Sequence, residues 1–293
     1  MNETQQLDEI YTRLRAKKSI AALFTGLIIA EAVFLFAMAF IKPPLVFLGF
    51  AMLFLTAKPC RSYTKAYSDD YKESVVRHLT LDHCDFLQDL SFRPEEGLSA
   101  MEIGSLHIVD GDHFESKNLI SARYHGVFFR QSDVSVTRTE FSADHTRDET
   151  TVFRGRILVF DLERPVAATL QILPKWAARL SKSRSLLPFG KQNDRVLTGD
   201  ATFDQAYHVF CDDPAEVQRT VTAQMTAALM QLKQQLKSQM MLVFSEERLY
   251  IAISRNEDSF EGKIFGKISF EEDQKRILSD LRLICDFADA LGL

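Results

Sequence analysis

One carboxylate and one basic stretch are the places in this chain where residue type and setting point to chemistry. Glu31 lies in the middle of an otherwise uncharged apolar run, residues 19–41, where a charge is costly and a polar group needs a partner or a purpose. It reads as a polar contact holding helices together in an oligomer or as a proton-responsive group. The plainer reading is a hydrogen bond within its own hairpin, to Thr25 or Thr56. The basic stretch, residues 175–191, interleaves Lys175, Arg179, Lys182, Arg184 and Lys191 with Trp176, Leu180, Leu186, Leu187 and Phe189. Cations beside aromatic and aliphatic groups suit an anionic membrane surface, at about 1 kcal/mol per basic residue, or a partner's face. A solvated crossover loop is the plainer reading there.

Two polar clusters invite a metal or catalytic reading and do not hold it. His107, Asp110, Asp112 and His113 surround Asp110-Gly111-Asp112, a turn sequence, and strand residues on either side of it point to opposite faces. Asp144, His145, Asp148 and Glu149 are expected in a loop between strands. The nucleophile elbow, the zinc-helix motif and the glycine-rich phosphate loops do not occur. Cys60, Cys84, Cys211 and Cys285 are scattered, without a Cys-x-x-Cys pair, and read as reduced thiols. No catalytic, metal or cofactor residue is therefore expected. The net charge of −5 argues against a nucleic-acid partner, since phosphate binding needs a basic surface.

The elements that must position these residues begin with a membrane hairpin. Residues 19–41 and 44–57 are apolar and separated by Lys42-Pro43-Pro44. The first run reaches about 34 Å as a helix, enough for a hydrocarbon core of about 30 Å. The second reaches only about 21 Å, so it either spans a locally thinned bilayer or is re-entrant. Arg13, Arg15, Lys17 and Lys18 precede the pair, Lys58, Arg61, Lys65 and Lys72 follow it, and Lys42 stands alone in the turn. Positive residues stay inside, so both termini are expected in the cytoplasm. A cleaved signal peptide ending near Ala37-Met38-Ala39 is disfavoured by the length of the run and by Glu31. The mean hydropathy of −0.09 includes both runs, so the rest is ordinary soluble sequence.

The expected fold class is α+β, in four parts. Residues 1–18 form a cytoplasmic amphipathic helix, 19–57 the hairpin, 58–92 a helical stalk and 93–293 a cytoplasmic domain. Within that domain the short runs 119–124, 126–129, 134–141, 151–161, 167–173 and 206–211 predict a mostly antiparallel sheet. Residues 213–237 predict one helix capped by Asp213, 240–245 and 248–254 a hairpin turning at Glu246-Glu247, and 271–291 a final helix.

Several stretches together resemble a known family. Phe153-Arg154-Gly155-Arg156-Ile157-Leu158-Val159-Phe160-Asp161, Leu197-Thr198-Gly199-Asp200-Ala201-Thr202-Phe203-Asp204 and His208-Val209-Phe210-Cys211-Asp212-Asp213-Pro214 occur in an order similar to the bacterial proteins grouped as domain of unknown function 3137. Leu249-Tyr250-Ile251-Ala252-Ile253 and Asp258-Ser259-Phe260-Glu261 extend the likeness, which runs over roughly residues 71–291. It departs at Glu115-Ser116-Lys117-Asn118, where such proteins carry an acidic-Asp pair before a glycine. The resemblance implies an uncharacterised bacterial inner-membrane protein, sometimes encoded near LemA-like proteins, and transfers no catalytic residue. The resulting expectation is a membrane-anchored scaffold that engages a protein partner, its own copies or the anionic lipid surface. An enzyme with a site assembled from distant loops, and an oligomeric channel or transporter component, are the alternatives.

Overall fold

A helix of 39 residues, α1 (Glu3–Ile41), joins the amphipathic N-terminal turns and the apolar run without a break. No proline interrupts this stretch. The computed structural model describes residues 3–41, 46–82, 84–106, 111–141, 147–175, 177, 195–238, 240–255 and 260–293. Among these, α1 is the one helix long and apolar enough to cross a membrane, over Leu7–Phe40. Helix α2 (Val46–Tyr71) returns antiparallel to it and runs on through Pro59. Arg13 and Lys17 pair with Asp70 at 3.0 and 2.8 Å, and Phe24 stacks on Tyr63 with centroids 5.1 Å apart. Leu23, Phe36, Phe40, Phe47, Phe54 and Leu55 are exposed, so both helices carry large apolar side chains on their outer surface.

The helix continues through a π turn, Lys72–Val76, into α3 (Arg77–Asp82) and stops there. The expectation of a stalk helix to residue 92 is corrected, because β1 (Gln88–Arg93) is a strand. Asp89 takes φ +53, which no helix interior allows, and Phe92 pairs with Ile120 of the next strand. Cross-strand burial of Phe92 outweighed the helical spacing of Phe86 and Leu90.

The chain forms two compact units, Met1–Cys84 with Ser259–Ser279, and Asp85–Asp258 with Asp280–Leu293. The second is built on a nine-stranded, wholly antiparallel sheet. Its other strands are β2 (His113–Tyr124), β3 (Val127–Phe141), β4 (Arg147–Asp161), β5 (Leu170–Pro174), β6 (Arg195–Val196), β7 (Tyr207–Cys211), β8 (Met240–Ser245) and β9 (Arg248–Ser254). The spatial order is β1-β2-β3-β4-β9-β8-β5-β7-β6. The α+β class and the antiparallel sheet predicted from the sequence are both present. Asp148 and Glu149, expected in a loop, belong to β4 instead, where they pair with Glu140 and Thr139 of β3; Asp144 and His145 lie outside the described residues.

Both faces of the sheet are buried. Val134, Val136, Ile157, Val159, Val243 and Ala252 form the core of one, with Ile103 of the short helix α4 (Ala100–Ser105). Phe129, Leu158, Phe160, Leu242 and Ile251 occupy the other, as the period of two along each strand requires. Helix α5 (Ala201–Ala206) is capped by Asp200. The single helix expected over 213–237 is two helices. Asp213 caps α6 (Pro214–Thr220) as predicted, but Thr222 then caps α7 (Ala223–Leu236) by accepting the Met225 N–H at 3.2 Å. A threonine hydroxyl offers an amide an alternative to the helical carbonyl, and here it restarts the helix. The final helix, α8 (Phe270–Leu291), lies where the periodicity placed it.

Candidate functional site

The sheet register assembles a cleft. Arg130 of β3 pairs with Val159 of β4, Val159 with Tyr250 of β9, Tyr250 with Val243 of β8, and Val243 with Gln171 of β5. Residues in one cross-strand row share a face, so a guanidinium, a phenol and a primary amide stand in line across five strands, separated by valines. Above the row sits α4. Its cap is Ser99, whose hydroxyl accepts the Glu102 N–H at 3.1 Å, while the buried Ser132 hydroxyl accepts the Leu98 N–H just ahead of it. The space between is about 640 Å³, lined by Glu102, Ser105, Thr169, Gln171, Arg248 and Tyr250 among others.

Glu102 is the centre of that cleft. Arg130 donates to both of its oxygens, at 2.8 and 3.4 Å, the Tyr250 hydroxyl reaches Oε1 at 3.5 Å, and Arg248 approaches to 3.7 Å. Gln171 is buried and donates to the Leu106 carbonyl at 3.4 Å, leaving its amide oxygen as an acceptor. Burial lifts the Tyr250 phenol above its ordinary range, against the pull of Arg248, so it remains a neutral hydroxyl. Glu246 and Glu247 stand exposed at the rim. A fixed carboxylate, two cations and several neutral donors and acceptors make a surface for recognising a polar ligand by hydrogen bonds.

The opposite face holds a buried ionic network. Arg156, 2 % exposed, donates through Nε and one terminal nitrogen to Asp133 at 3.1 Å and through the other to Asp280 of α8 at 2.9 Å. Arg255 binds the second oxygen of Asp280, and Asn118 the second oxygen of Asp133, both at 2.9 Å. Burial alone would lower the Arg156 pKa, but Asp133 and Asp280 raise it above its usual range. Each carboxylate meets a cation and each cation a carboxylate, so this network positions strands and helix and exposes nothing for reaction.

The residues singled out from the sequence are placed as follows. Glu31 is 5 % exposed and accepts from the Thr56 hydroxyl at 2.6 Å across the hairpin. Lys175 is exposed; Trp176, Arg179, Lys182, Arg184 and Lys191 lie outside the described residues, as do His107 and Asp110. Asp112 accepts the Thr139 N–H, and His113 faces Glu115 at 3.5 Å. Among the described residues no three His, Cys, Asp or Glu are placed to hold a metal ion. The cleft itself was missed, although Ser99-x-x-Glu102 is a capping sequence and Gln171 is a polar residue inside an apolar strand.

Comparison with known proteins finds a family match over a little under half of the chain. The family model described as protein of unknown function (DUF3137) matches residues 151–293. Over that stretch the chain is similar to this family. The stretch contains most of β4 and all of β5, β8 and β9, and with them Tyr250, Gln171 and Arg248 of the cleft and Arg156 of the network, whereas Glu102 and Arg130 precede it. The resemblance traced in the sequence from residue 71 is therefore borne out over its larger, C-terminal part. No curated protein matches the chain. Among solved structures, the crystal structure of the mycobacterial trehalose monomycolate transport factor A, TtfA, is weakly similar, at 9% identity and a TM-score of 0.37, covering 75% of this chain and 95% of that one.

Proposed function

We propose that the chain is a membrane-anchored binding module: the hairpin holds it at a bacterial inner membrane, with both termini in the cytoplasm, and the cleft takes up a polar segment of a protein partner. Glu102 carries this reading. A carboxylate held twice by one guanidinium is a well-fixed hydrogen-bond acceptor, and the Tyr250 and Gln171 groups beside it offer neutral partners for peptide amides. The exposed apolar side chains of α1 and α2 support the anchor.

Two measurements test the two halves separately. Alkaline carbonate extraction of membranes bearing the full chain is expected to leave it in the pellet; release into the supernatant would remove the anchor. Affinity purification in mild detergent, with parent, Glu102→Gln and Tyr250→Phe side by side, is expected to give a partner that the parent retains and the variants lose. A partner retained equally by all three would place its binding outside the cleft.

A further inference from the structure

At the foot of the apolar run, inside the first unit, α1 and the segment ahead of α8 flank an open cavity of about 570 Å³. Three cations line it, Arg15, Lys18 and Lys267, together with Ala22, Phe265 and Ile268. Lys18 is only 8 % exposed and donates to the Gly266 carbonyl. Gly266 can present that carbonyl because it takes φ +91, a conformation that side chains resist. An ammonium has three donors, so Lys18 keeps two beyond this bond. Among the described residues no carboxylate lies within ion-pairing distance of Arg15, Lys18 or Lys267, although Arg13 and Lys17, less than a turn away, share Asp70. Asp273 acts on Lys18 only from beyond ion-pairing distance; a buried cation without a close counter-ion is costly, and the site leaves room for one from outside.

The position names the source. Ser19 opens the apolar run and also lines the cavity, so in a membrane the cavity lies at headgroup level. Phe265 is 56 % exposed there, and Ile20 and Leu23 of α1 are exposed on the bilayer side of it, the setting of an interfacial aromatic anchor. We infer that this cavity binds the phosphate of an anionic phospholipid, with Arg15, Lys18 and Lys267 around the headgroup and an acyl chain leaving past Ala22 and Phe265. The inference rests on residues 19–41 crossing the membrane, which carbonate extraction reports independently.

The test is native mass spectrometry of the delipidated full chain in detergent, titrated with phosphatidylglycerol, phosphatidylcholine and inorganic phosphate. Phosphatidylglycerol is expected to bind at least about tenfold more tightly than phosphatidylcholine. Lys267→Gln is expected to weaken it about fivefold, at the usual contribution of one basic residue near a lipid surface, and Arg15→Gln with Lys267→Gln to erase the preference. Both side chains are exposed, so these variants fold even if Lys18→Gln does not. Equal affinity for the two lipids, or an unchanged preference in the double variant, would overturn the inference. So would displacement of the lipid by an equal concentration of phosphate, which would make this a site for a soluble anion.

Discussion

Two arginines, one in each unit, organise their surroundings by different means. Arg156 is enclosed by the carboxylates of Asp133 and Asp280, with Arg255 balancing the second. Arg276 instead donates to the Tyr71 hydroxyl at 2.7 Å, the Asp273 carboxylate at 3.0 Å and the Glu261 carbonyl at 3.0 Å, while Tyr11 donates to the other oxygen of Asp273. The first network is a set of buried charges, the second a set of hydroxyls and carbonyls around one ion pair. Around the second, Gly262 lies so close to the hairpin that an added Cβ would come within 2.6 Å of the Tyr67 oxygen. Removing Arg156 takes a cation from two buried carboxylates, whereas removing Arg276 takes one from a single carboxylate, Asp273, that keeps the Tyr11 hydroxyl. The sheet should therefore be the less forgiving of the two.

The largest expected effect follows directly. Arg156→Met removes the buried cation between Asp133 and Asp280 and should cost roughly 3–5 kcal/mol in chemical denaturation of the full chain in detergent; a loss under about 1 kcal/mol would mean the network is solvated. Arg276→Met should cost less, about 1–3 kcal/mol, and hydrogen exchange should show protection lost over residues 260–279 but kept in β3, β4 and β9. Equal losses in both units would erase the contrast.

A pH effect comes next in size. Burial, reinforced by Asp289 and Asp286, pushes the Cys285 thiol up to about 11. The folded state thus favours the neutral thiol, so stability is intact below the ordinary thiol value of about 8.5 and falls as pH rises from there towards 11. Cys285→Ala should flatten that part of the alkaline stability profile, and at pH 8 Cys285 should alkylate far more slowly than the half-buried Cys60. The smallest effect has the opposite sign. The Tyr207 hydroxyl is buried without a hydrogen-bond partner among the described residues, so Tyr207→Phe should be neutral or stabilising by up to about 1 kcal/mol. Tyr71→Phe, which removes a bonded hydroxyl, should destabilise. If both cost the same, hydrogen bonding does not separate them.

What the sequence disclosed and what it hid divide along the range of the interactions. Helix α1, helix α8, the Asp213 cap and the Glu246-Glu247 turn depend on neighbours a few residues apart, and each was legible. Thr222 was passed over because apolar spacing continued through it, and β1 because Phe92 joins a strand only by pairing with Ile120. Thr56 was legible as a partner of Glu31, since both lie near the middle of facing apolar runs. The cleft was not. Glu102, Arg130, Gln171 and Tyr250 are brought together by the order β3-β4-β9-β8-β5, and strand order is a long-range property that no local pattern encodes. Arg156 left a fainter trace, a charge in a run that otherwise reads as a buried strand, whereas Asp133 falls between the expected strands 126–129 and 134–141.

Membrane anchorage with a partner held in the cleft is the central claim, and photocrosslinking in the native host addresses it most directly. Met101, 85 % exposed at the lip of the cleft, would be replaced by a photoreactive phenylalanine, with Leu197, 67 % exposed and not lining it, as the control. The expected result is one discrete protein adduct from position 101 in the membrane fraction, absent from position 197 and lost when Glu102→Gln is added. Adducts of equal yield from both positions, or one from position 101 that is unchanged by Glu102→Gln, would contradict it.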